Sequence, residues 1–172
     1  QTGEGLEGAR VVIQGMGNVG GNAARIFHHR RAKIVAISDV SGGIYCKDGL
    51  DMDVISDFAG EGGNLLKDYA APGIAHISNE ELMLCECDIL VPAAMENQIN
   101  EETAKKIRCR FVVEGANGPT TAAADAILAQ RGITLVPDIF ANSGGVIVSY
   151  FEWVQNIQIL TWERDQINEM LE

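Results

Sequence analysis

The sequence lacks long apolar runs and has few positive charges. No stretch approaches the roughly eighteen consecutive apolar residues of a membrane-spanning helix, so we expect no membrane span. Its 13 Lys and Arg residues are outnumbered by 24 Asp and Glu residues, for a formal net charge of −11. Because so acidic a chain repels a phosphate backbone, we expect no nucleic-acid partner. Any bound phosphate would have to be held largely by backbone dipoles.

Cysteine and histidine are also scarce. Of the four cysteines, Cys46, Cys85, Cys87 and Cys109, the middle two form a C-x-C pair with no histidine cluster beside it. We interpret all four as thiols in a reducing cytosol, which predicts a cytoplasmic protein without a metal site; a metal at the C-x-C pair is the alternative. The three histidines have no Cys or Ser partner in the sequence, so we assign them no catalytic role.

A glycine-rich motif, Gly15-Met16-Gly17-Asn18-Val19-Gly20, follows an apolar run and precedes a helical pattern. The order strand, glycine turn and helix is typical of a dinucleotide-binding turn. Gly15 would allow a tight turn, Gly17 would let the backbone approach a pyrophosphate, and Gly20 would let the helix pack closely. The amides of Asn18 and Val19 would face the phosphates from the positive end of the helix dipole.

An acidic residue supports this interpretation of the glycine motif. Asp39 closes a second apolar run, at about the spacing expected for the acid that binds an adenine ribose. The alternative is a glycine turn that binds no ligand. The flanking strand and helix, together with Asp39, favour a bound dinucleotide.

Apolar runs and helix-capping residues alternate along the 172 residues. This order predicts an α/β fold with a Rossmann-like, doubly wound, mostly parallel sheet and helices on both faces, and with ligand at the carboxyl ends of the strands. We expect an irregular lead-in over residues 1–9, a dinucleotide-binding domain over 10–145, and C-terminal helices over 146–172 toward an interdomain hinge. The predicted strands are 10–14, 33–38, 88–91, 111–114 and 133–136, with a hairpin-like excursion over 42–49. The predicted helices are 18–31, 51–60, 78–86, 100–108, 120–131, 144–156 and 163–171, and residues 61–73 are predicted to be a loop.

Five blocks of sequence are informative together: residues 13–20 (IQGMGNVG), 38–39 (SD), 87–94 (CDILVPAA), 114–121 (EGANGPTT) and 142–156 (NSGGVIVSYFEWVQN). They resemble the nucleotide-binding domain of glutamate dehydrogenase, in the glutamate/leucine/phenylalanine/valine dehydrogenase family. The resemblance covers nearly the whole chain after Leu6. Its most specific part is residues 148–156, because the leucine, valine and phenylalanine dehydrogenases share the glycine loop but not this block.

The resemblance implies NAD as cofactor, with NADP possible, and a role for particular residues. Asp39 would accept hydrogen bonds from the adenosine ribose, and Ala93 and Ala94 would lie against the cofactor through their backbone. Asn117 and Asn142 would orient the nicotinamide ribose and carboxamide. The implied cofactor-binding residues are Gly15, Gly17, Asn18, Val19, Gly20, Ser38, Asp39, Ala93, Ala94, Asn117 and Asn142, and the implied substrate-pocket residues are Val146 and Ser149.

The resemblance also implies a reaction, the oxidative deamination of L-glutamate to 2-oxoglutarate and ammonia. A second domain supplies the catalytic lysine and aspartate in that family. We therefore predict no catalytic residue in this chain, no turnover by it alone, and a homo-oligomeric, hexameric parent enzyme.

Three alternatives remain at this point. Asn117 and Asn142 could be turn formers, and Ser149 could bond back to the Gly145 carbonyl within its helix. The parent could be a leucine, valine or phenylalanine dehydrogenase, although a polar Ser149 favours a carboxylate side chain in the substrate. The chain could also be a stand-alone nucleotide-binding module without turnover.

Overall fold

The fold is a seven-stranded sheet in which the second, third and fourth strands of the chain lie on one side of the first strand, and the fifth to seventh lie on its other side. The computed structural model describes residues 5–171, so residues 1–4 of the predicted lead-in lie outside the described residues. The strands are β1 Arg10–Gln14, β2 Lys33–Asp39, β3 Gly42–Tyr45, β4 Ala75–Ile77, β5 Ile89–Pro92, β6 Phe111–Val113 and β7 Thr134–Val136. Their order in the sheet is β4-β3-β2-β1-β5-β6-β7, with β2 and β5 both parallel to β1.

Side-chain caps set the starts of four helices, the second to the fifth in chain order. The Asp51 carboxylate accepts the N–H groups of Asp53 and Val54. Ser78 and Glu81 form the reciprocal capping box that their spacing predicts. The Asn100 side chain accepts the N–H groups of Glu102 and Thr103 at the start of the next helix. The Thr121 side chain accepts the Ala124 N–H at the start of the one after it. The helices are α1 Asn18–His29, α2 Met52–Gly60, α3 Asn79–Met83, α4 Glu101–Lys106, α5 Ala122–Gln130, α6 Asp138–Ala141, α7 Ser143–Gln158 and α8 Arg164–Leu171.

The two faces of the sheet bury separate apolar clusters, which confirms the predicted doubly wound architecture. On β1, Val12 belongs to one cluster, whereas Val11 and Ile13 belong to the other, as the alternation of side chains along a strand requires. The first face is covered by α3, α4 and α5, and the second by α1 and α2. Because both faces are covered, β1 and β2 are nearly continuous apolar runs.

The edge of the sheet beside β2 differs from a simple alternation of strands and helices. β3 pairs antiparallel with β2, and β4 pairs antiparallel with β3. β4 is absent from the predicted elements because its three residues are half-buried or exposed and have no apolar run. A 3-10 turn, Leu66–Asp68, lies inside the predicted loop.

Several predicted boundaries are also corrected. α3 ends at Met83 rather than at residue 86, and α4 ends at Lys106 rather than at residue 108. The short α6 was not predicted, because four residues after Pro137 are too few to show a helical period. The predicted boundary at residues 145 and 146 falls inside α7, and the domain division stays a prediction. Within residues 5–171, every helix is too short or too polar to cross a membrane.

Candidate nucleotide-binding cleft

The glycine motif forms the turn between β1 and α1. Gly15 has a φ of 103°, a left-handed conformation that glycine adopts without strain. A Cβ on Gly20 would lie 1.9 Å from the Gly15 carbonyl oxygen, so the helix can approach the turn only with glycine at this position. A Cβ on Gly17, by contrast, would have no heavy atom within 4 Å. The open space at Gly17 is where a ligand could come close to the backbone.

The amino end of α1 is suited to an anion. Gly17 is its N-cap, and no side chain caps the helix. The first turn contains no acidic residue, and Gly17, Asn18 and Val19 are exposed. Uncapped backbone N–H groups and the helix dipole together favour negative charge at this end of α1.

Asp39 at the end of β2 is half-buried, and its carboxylate is already engaged. One oxygen, Oδ1, accepts the Ser41 backbone N–H at 2.7 Å and the Ser41 hydroxyl at 2.5 Å. The other, Oδ2, accepts the Leu66 backbone N–H at 2.7 Å. Since an ionised carboxylate has about four acceptor sites, one acceptor site on Oδ2 remains for a ligand hydroxyl. The sequence did not predict that Leu66 belongs to the site, because Leu66 and Asp39 are 27 positions apart in the chain.

Ser38 lies beside Asp39 but faces the interior. Its side chain is 1% exposed, and its hydroxyl accepts the Gly15 backbone N–H at 3.4 Å. The contact ties the end of β2 to the glycine turn. The structure therefore gives Ser38 a positioning contact, in addition to its place in the wall of the cleft.

The cleft itself has a volume of about 630 Å³ and lies between the glycine turn and the ends of β2 and β5. This is the point where the strand order reverses, the usual position of a ligand in an open α/β sheet. Ala93 and Ala94 line it, and the Ala93 N–H donates to the Gln14 carbonyl at 2.8 Å. Asn64 and Leu65 close its other side.

Gln14 and Gln98 were not singled out in the sequence, yet both line the same cleft. Gln14 is 4% exposed, and its Nε2 donates to Gln98 Oε1 at 2.8 Å. The Oε1 atom of Gln14 is buried and has no hydrogen-bond partner among the described residues. In the sequence, Gln14 is a polar residue at the end of an apolar strand, and this pattern could have indicated a role for it in the site.

The predicted pair of asparagines is brought together. The Asn142 side-chain amide donates to Asn117 Oδ1 at 2.8 Å, across 25 residues of sequence. The two residues lie near turns, and their side chains also form a hydrogen bond with each other. Asp138 contacts the backbone beside both residues: its carboxylate accepts the Gly118 N–H at 2.8 Å, and its carbonyl accepts the Asn142 N–H at 2.9 Å.

Glu114 is a buried acid that contacts Asp138. Its side chain is 5% exposed, and its carboxylate accepts the Asp138 backbone N–H at 2.9 Å. Gly115 is equally constrained, because an added Cβ would lie 3.0 Å from the Ala93 Cβ. Both lie at the end of a predicted strand, where ligand is expected, but the sequence assigned neither of them a role. The signal for Glu114 is an acid directly after a buried strand.

Val146 and Ser149 lie on α7, apart from the cleft lining described above. Val146 is 74% exposed, Ser149 is exposed, and α7 buries none of its residues within the described chain. The Ser149 hydroxyl makes no hydrogen bond back to the Gly145 carbonyl, so this alternative to a binding role is not observed. The two side chains thus face open space on an apolar helix surface.

One group of side chains outside the cleft has metal-ligand atoms close together. His28, Asp51 and Asp53 place ligand atoms within 4.8 Å of one another, the only such set among residues 5–171. The His29 ring nitrogen also lies 3.0 Å from Asp53, and Arg25 lies 3.8 Å from it. These contacts join the end of α1 to the capped start of α2: Arg25 and Asp53 form an ion pair, and His29 and Asp53 share a hydrogen bond. Such contacts are sufficient to bring these exposed side chains together.

Comparison with known sequences gives a consistent result. A family model for glutamate/leucine/phenylalanine/valine dehydrogenases matches residues 1–172. The cryptic catabolic NAD-specific glutamate dehydrogenase of Bacillus subtilis is 50% identical over 167 residues, covering 97% of this chain and 38% of that protein. The NAD-specific glutamate dehydrogenase of Staphylococcus aureus is 49% identical, covering 96% of this chain and 39% of its own length.

Solved structures agree with these sequence matches. The hetero-hexameric glutamate dehydrogenase of Thermus thermophilus superposes with a TM-score of 0.88 at 32% identity, over 98% of this chain and 39% of that one. The glutamate dehydrogenase of Plasmodium falciparum gives 0.86 at 29% identity, over 96% and 37% of the two chains. The chain thus spans little more than a third of the length of the relatives it matches.

Proposed function

Because the chain belongs to the glutamate/leucine/phenylalanine/valine dehydrogenase family, we propose that it is the NAD-binding part of a glutamate dehydrogenase. The parent reaction would be the oxidative deamination of L-glutamate to 2-oxoglutarate and ammonia. The relatives named above as NAD-specific glutamate dehydrogenases support both the cofactor and the substrate.

The observation that carries this proposal is the presence of an uncapped glycine turn and a half-buried carboxylate, Asp39, at one cleft. The open space at Gly17 would admit a pyrophosphate against the amides of Asn18 and Val19. Asp39, across the cleft, would accept a hydrogen bond from an adenosine ribose hydroxyl through its free acceptor site. Ala93 and Ala94 would lie against the bound dinucleotide.

NAD, when bound, supplies a nicotinamide ring that accepts a hydride from the α-carbon of the amino acid. The residues of this chain would hold and orient that ring. The hydrogen-bonded amides of Asn117 and Asn142 would face the nicotinamide ribose and carboxamide, held in place by Asp138 and Glu114. Hydride transfer requires near contact between the two carbons, so fixed geometry at this end of the sheet would increase the rate.

Glutamate would enter beside α7. We propose that Val146 and Ser149 line the pocket for its side-chain carboxylate, with the Ser149 hydroxyl as a hydrogen-bond donor. The exposure of both side chains supports access from solvent or from another domain. Catalytic lysine and aspartate residues would come from a second domain, and closure of the two domains would exclude water from the reacting atoms.

The parent enzyme is proposed to be a homo-hexamer in the cytoplasm. The large apolar residues exposed along α7, which include Tyr150, Trp153 and Ile157, support contact with another domain or subunit. The four cysteines, all without disulfides, support a reducing compartment.

The substrate proposal is tested on the whole enzyme that contains this chain. NAD reduction would be measured with glutamate, leucine, valine and phenylalanine under identical conditions. We expect kcat/KM for glutamate to exceed the other three values by at least about a hundredfold, and the variant Ser149→Ala to reduce this preference, because a buried carboxylate would lose a donor. A higher kcat/KM with leucine, valine or phenylalanine would assign the chain to the corresponding dehydrogenase. Cofactor binding without turnover of any amino acid would instead indicate a binding module.

A further inference from the structure

Two cysteines lie side by side at the amino ends of β5 and β6. The Cys87 N–H donates to the Arg108 carbonyl at 3.0 Å, and the Asp88 carbonyl accepts the Arg110 N–H at 3.0 Å. Cys109 is therefore bracketed by the two residues that bond the backbone of Cys87 and Asp88. Adjacent strands run about 4.8 Å apart, within the Cα separation of about 4.4–6.8 Å that a disulfide requires.

The side chains of this pair face the same apolar cluster. Cys87 is 4% exposed and belongs to the cluster on the α3, α4 and α5 side of the sheet, and Cys109 packs against it, half-buried. The two side chains are close enough for each thiol to influence the pKa of the other. The register outside the cysteines agrees with this, since Ile89 pairs with Phe111 two residues further along.

The two thiols differ in their chemistry. The neighbouring Cys87 thiol and the guanidinium charge of Arg131 lower the pKa of Cys109, against the opposing effect of burial. The neighbouring Cys109 thiol and burial raise the pKa of Cys87, as do the nearby Cys85 thiol and the Asp88 carboxylate. Cys109 is the more accessible sulfur, and the direction of its pKa shift favours it as the attacking thiolate.

From this geometry we propose that Cys87 and Cys109 form a redox-sensitive dithiol, which a low-molecular-weight disulfide oxidises to an intramolecular disulfide between β5 and β6. This modification site lies at the amino ends of the strands. The cofactor cleft lies at their carboxyl ends, so the inference does not depend on the proposed function.

The reaction balances as two exchange steps. The Cys109 thiolate attacks one sulfur of the small disulfide, its S–S bond breaks, and one small thiolate leaves, taking up the proton that Cys87 releases. The Cys87 sulfur then attacks the Cys109 sulfur, the mixed disulfide breaks, and the second small thiolate leaves and is protonated by solvent. Two protein thiols are oxidised, and one small disulfide is reduced to two thiols.

The other two cysteines are the natural controls. Cys46 lies on the opposite face of the sheet, packed against the α1 and α2 side. Cys85 is close enough to influence the Cys87 pKa, but Cys85, Cys87 and Cys109 do not bring three ligand atoms within 4.8 Å of one another. The arrangement therefore fits a pair of thiols rather than a three-thiolate metal site.

The test is oxidation of the purified 172-residue chain with excess oxidised glutathione, followed by thiol titration and peptide mapping. Cleavage after Glu86 and Arg108 separates Cys85, Cys87 and Cys109 into different peptides. We expect a mass loss of about 2 Da, two of the four thiols lost, a Cys87–Cys109 linked peptide, and full reversal by dithiothreitol. The variants Cys46→Ser and Cys85→Ser should behave identically.

Three outcomes would overturn the proposal. They are four free thiols after oxidation, a disulfide that involves Cys85 or Cys46, or a stable glutathione adduct on Cys109 that is never resolved. The Cys87→Ser variant provides a positive check, because it should stop at the Cys109–glutathione adduct. Since the main measurement uses the unmodified chain, it does not depend on whether a variant folds.

Discussion

The Asp39 carboxylate accepts the backbone N–H of Leu66 at 2.7 Å and so joins the end of β2 to a loop 27 residues away. The acid that is predicted to bind the adenosine ribose therefore also holds one wall of the cleft. A ribose hydroxyl would meet a carboxylate that two backbone amides already orient. This dual contact makes Asp39 the most informative position at which to test cofactor choice.

We expect the chain to bind NAD at least about tenfold more tightly than NADP, a difference of about 1.4 kcal/mol. The 2′-phosphate of NADP would meet the like charge of Asp39, and no Arg or Lys occurs in the sequence between Asp39 and Lys47. Calorimetric titration with both cofactors measures the ratio. The variant Asp39→Asn should weaken NAD binding and bring the two affinities closer together. Asp48→Asn, which removes the same charge from an exposed turn, should change neither affinity. Equal or tighter NADP binding by the unmodified chain would refute this prediction.

Gly17→Val should abolish NAD binding and leave the fold intact. Its Cβ would meet no protein atom within 4 Å, yet the side chain would fill the space where a pyrophosphate must approach. We expect at least about a hundredfold loss of affinity, equivalent to about 2.7 kcal/mol, with an unchanged circular dichroism spectrum. Gly60→Val is the matched control, since a Cβ at Gly60 would also have no heavy atom within 4 Å. Undiminished NAD binding by Gly17→Val would show that the glycine turn is not the site.

Gly20→Ala should destabilise the chain, in contrast to Gly17→Val. Its Cβ would lie 1.9 Å from the Gly15 carbonyl oxygen, a backbone atom that cannot move without displacing the turn. Overpacking of this kind typically costs about 1–3 kcal/mol, and we expect a value near the upper end. Urea denaturation of the variant and the unmodified chain gives the difference in unfolding free energy. A difference below about 0.5 kcal/mol would mean that α1 can shift away from the turn without cost.

The purified chain should not oxidise glutamate by itself. Its five lysines are Lys33, Lys47, Lys67, Lys105 and Lys106. Lys33 lies at the amino end of β2, whereas the cleft lies at the carboxyl ends of the strands. Lys105 and Lys106 lie on α4. The topology therefore brings none of these three lysines beside Asn142 and Ser149. Deamination also needs a base and a group that holds the α-carboxylate. The measurement is NAD reduction with glutamate by chain free of full-length enzyme. A rate that scales with chain concentration would contradict the expectation.

Much of the fold is predictable because its signals are local. Asp51, Ser78, Asn100 and Thr121 cap helices through side chains that reach only two or three residues along the chain. The central strands are buried on both faces and therefore appear as unbroken apolar runs. β4 carries no such run, and it forms only because the free edge of β3 offers a partner.

Local signals of this kind could not predict the hydrogen bonds that join the residues of the candidate site. The bonds from Asp39 to Leu66, from Glu114 to Asp138 and from Asn117 to Asn142 each join residues more than twenty positions apart. Such pairs depend on the final order of strands, which local propensity does not determine. The family resemblance identified Asn117 and Asn142 individually, but their hydrogen bond to each other is a finding of the structure.

The measurement that tests the central claim most directly is calorimetric titration of the purified 172-residue chain with NAD. We expect saturable binding of one NAD per chain, because the glycine turn and Asp39, which we propose to bind the phosphates and the ribose, both belong to this chain. Affinity should be weaker than in the proposed whole enzyme, in which a second domain would cover the cleft. Absence of saturable NAD binding by a chain shown to be folded by circular dichroism would contradict the account.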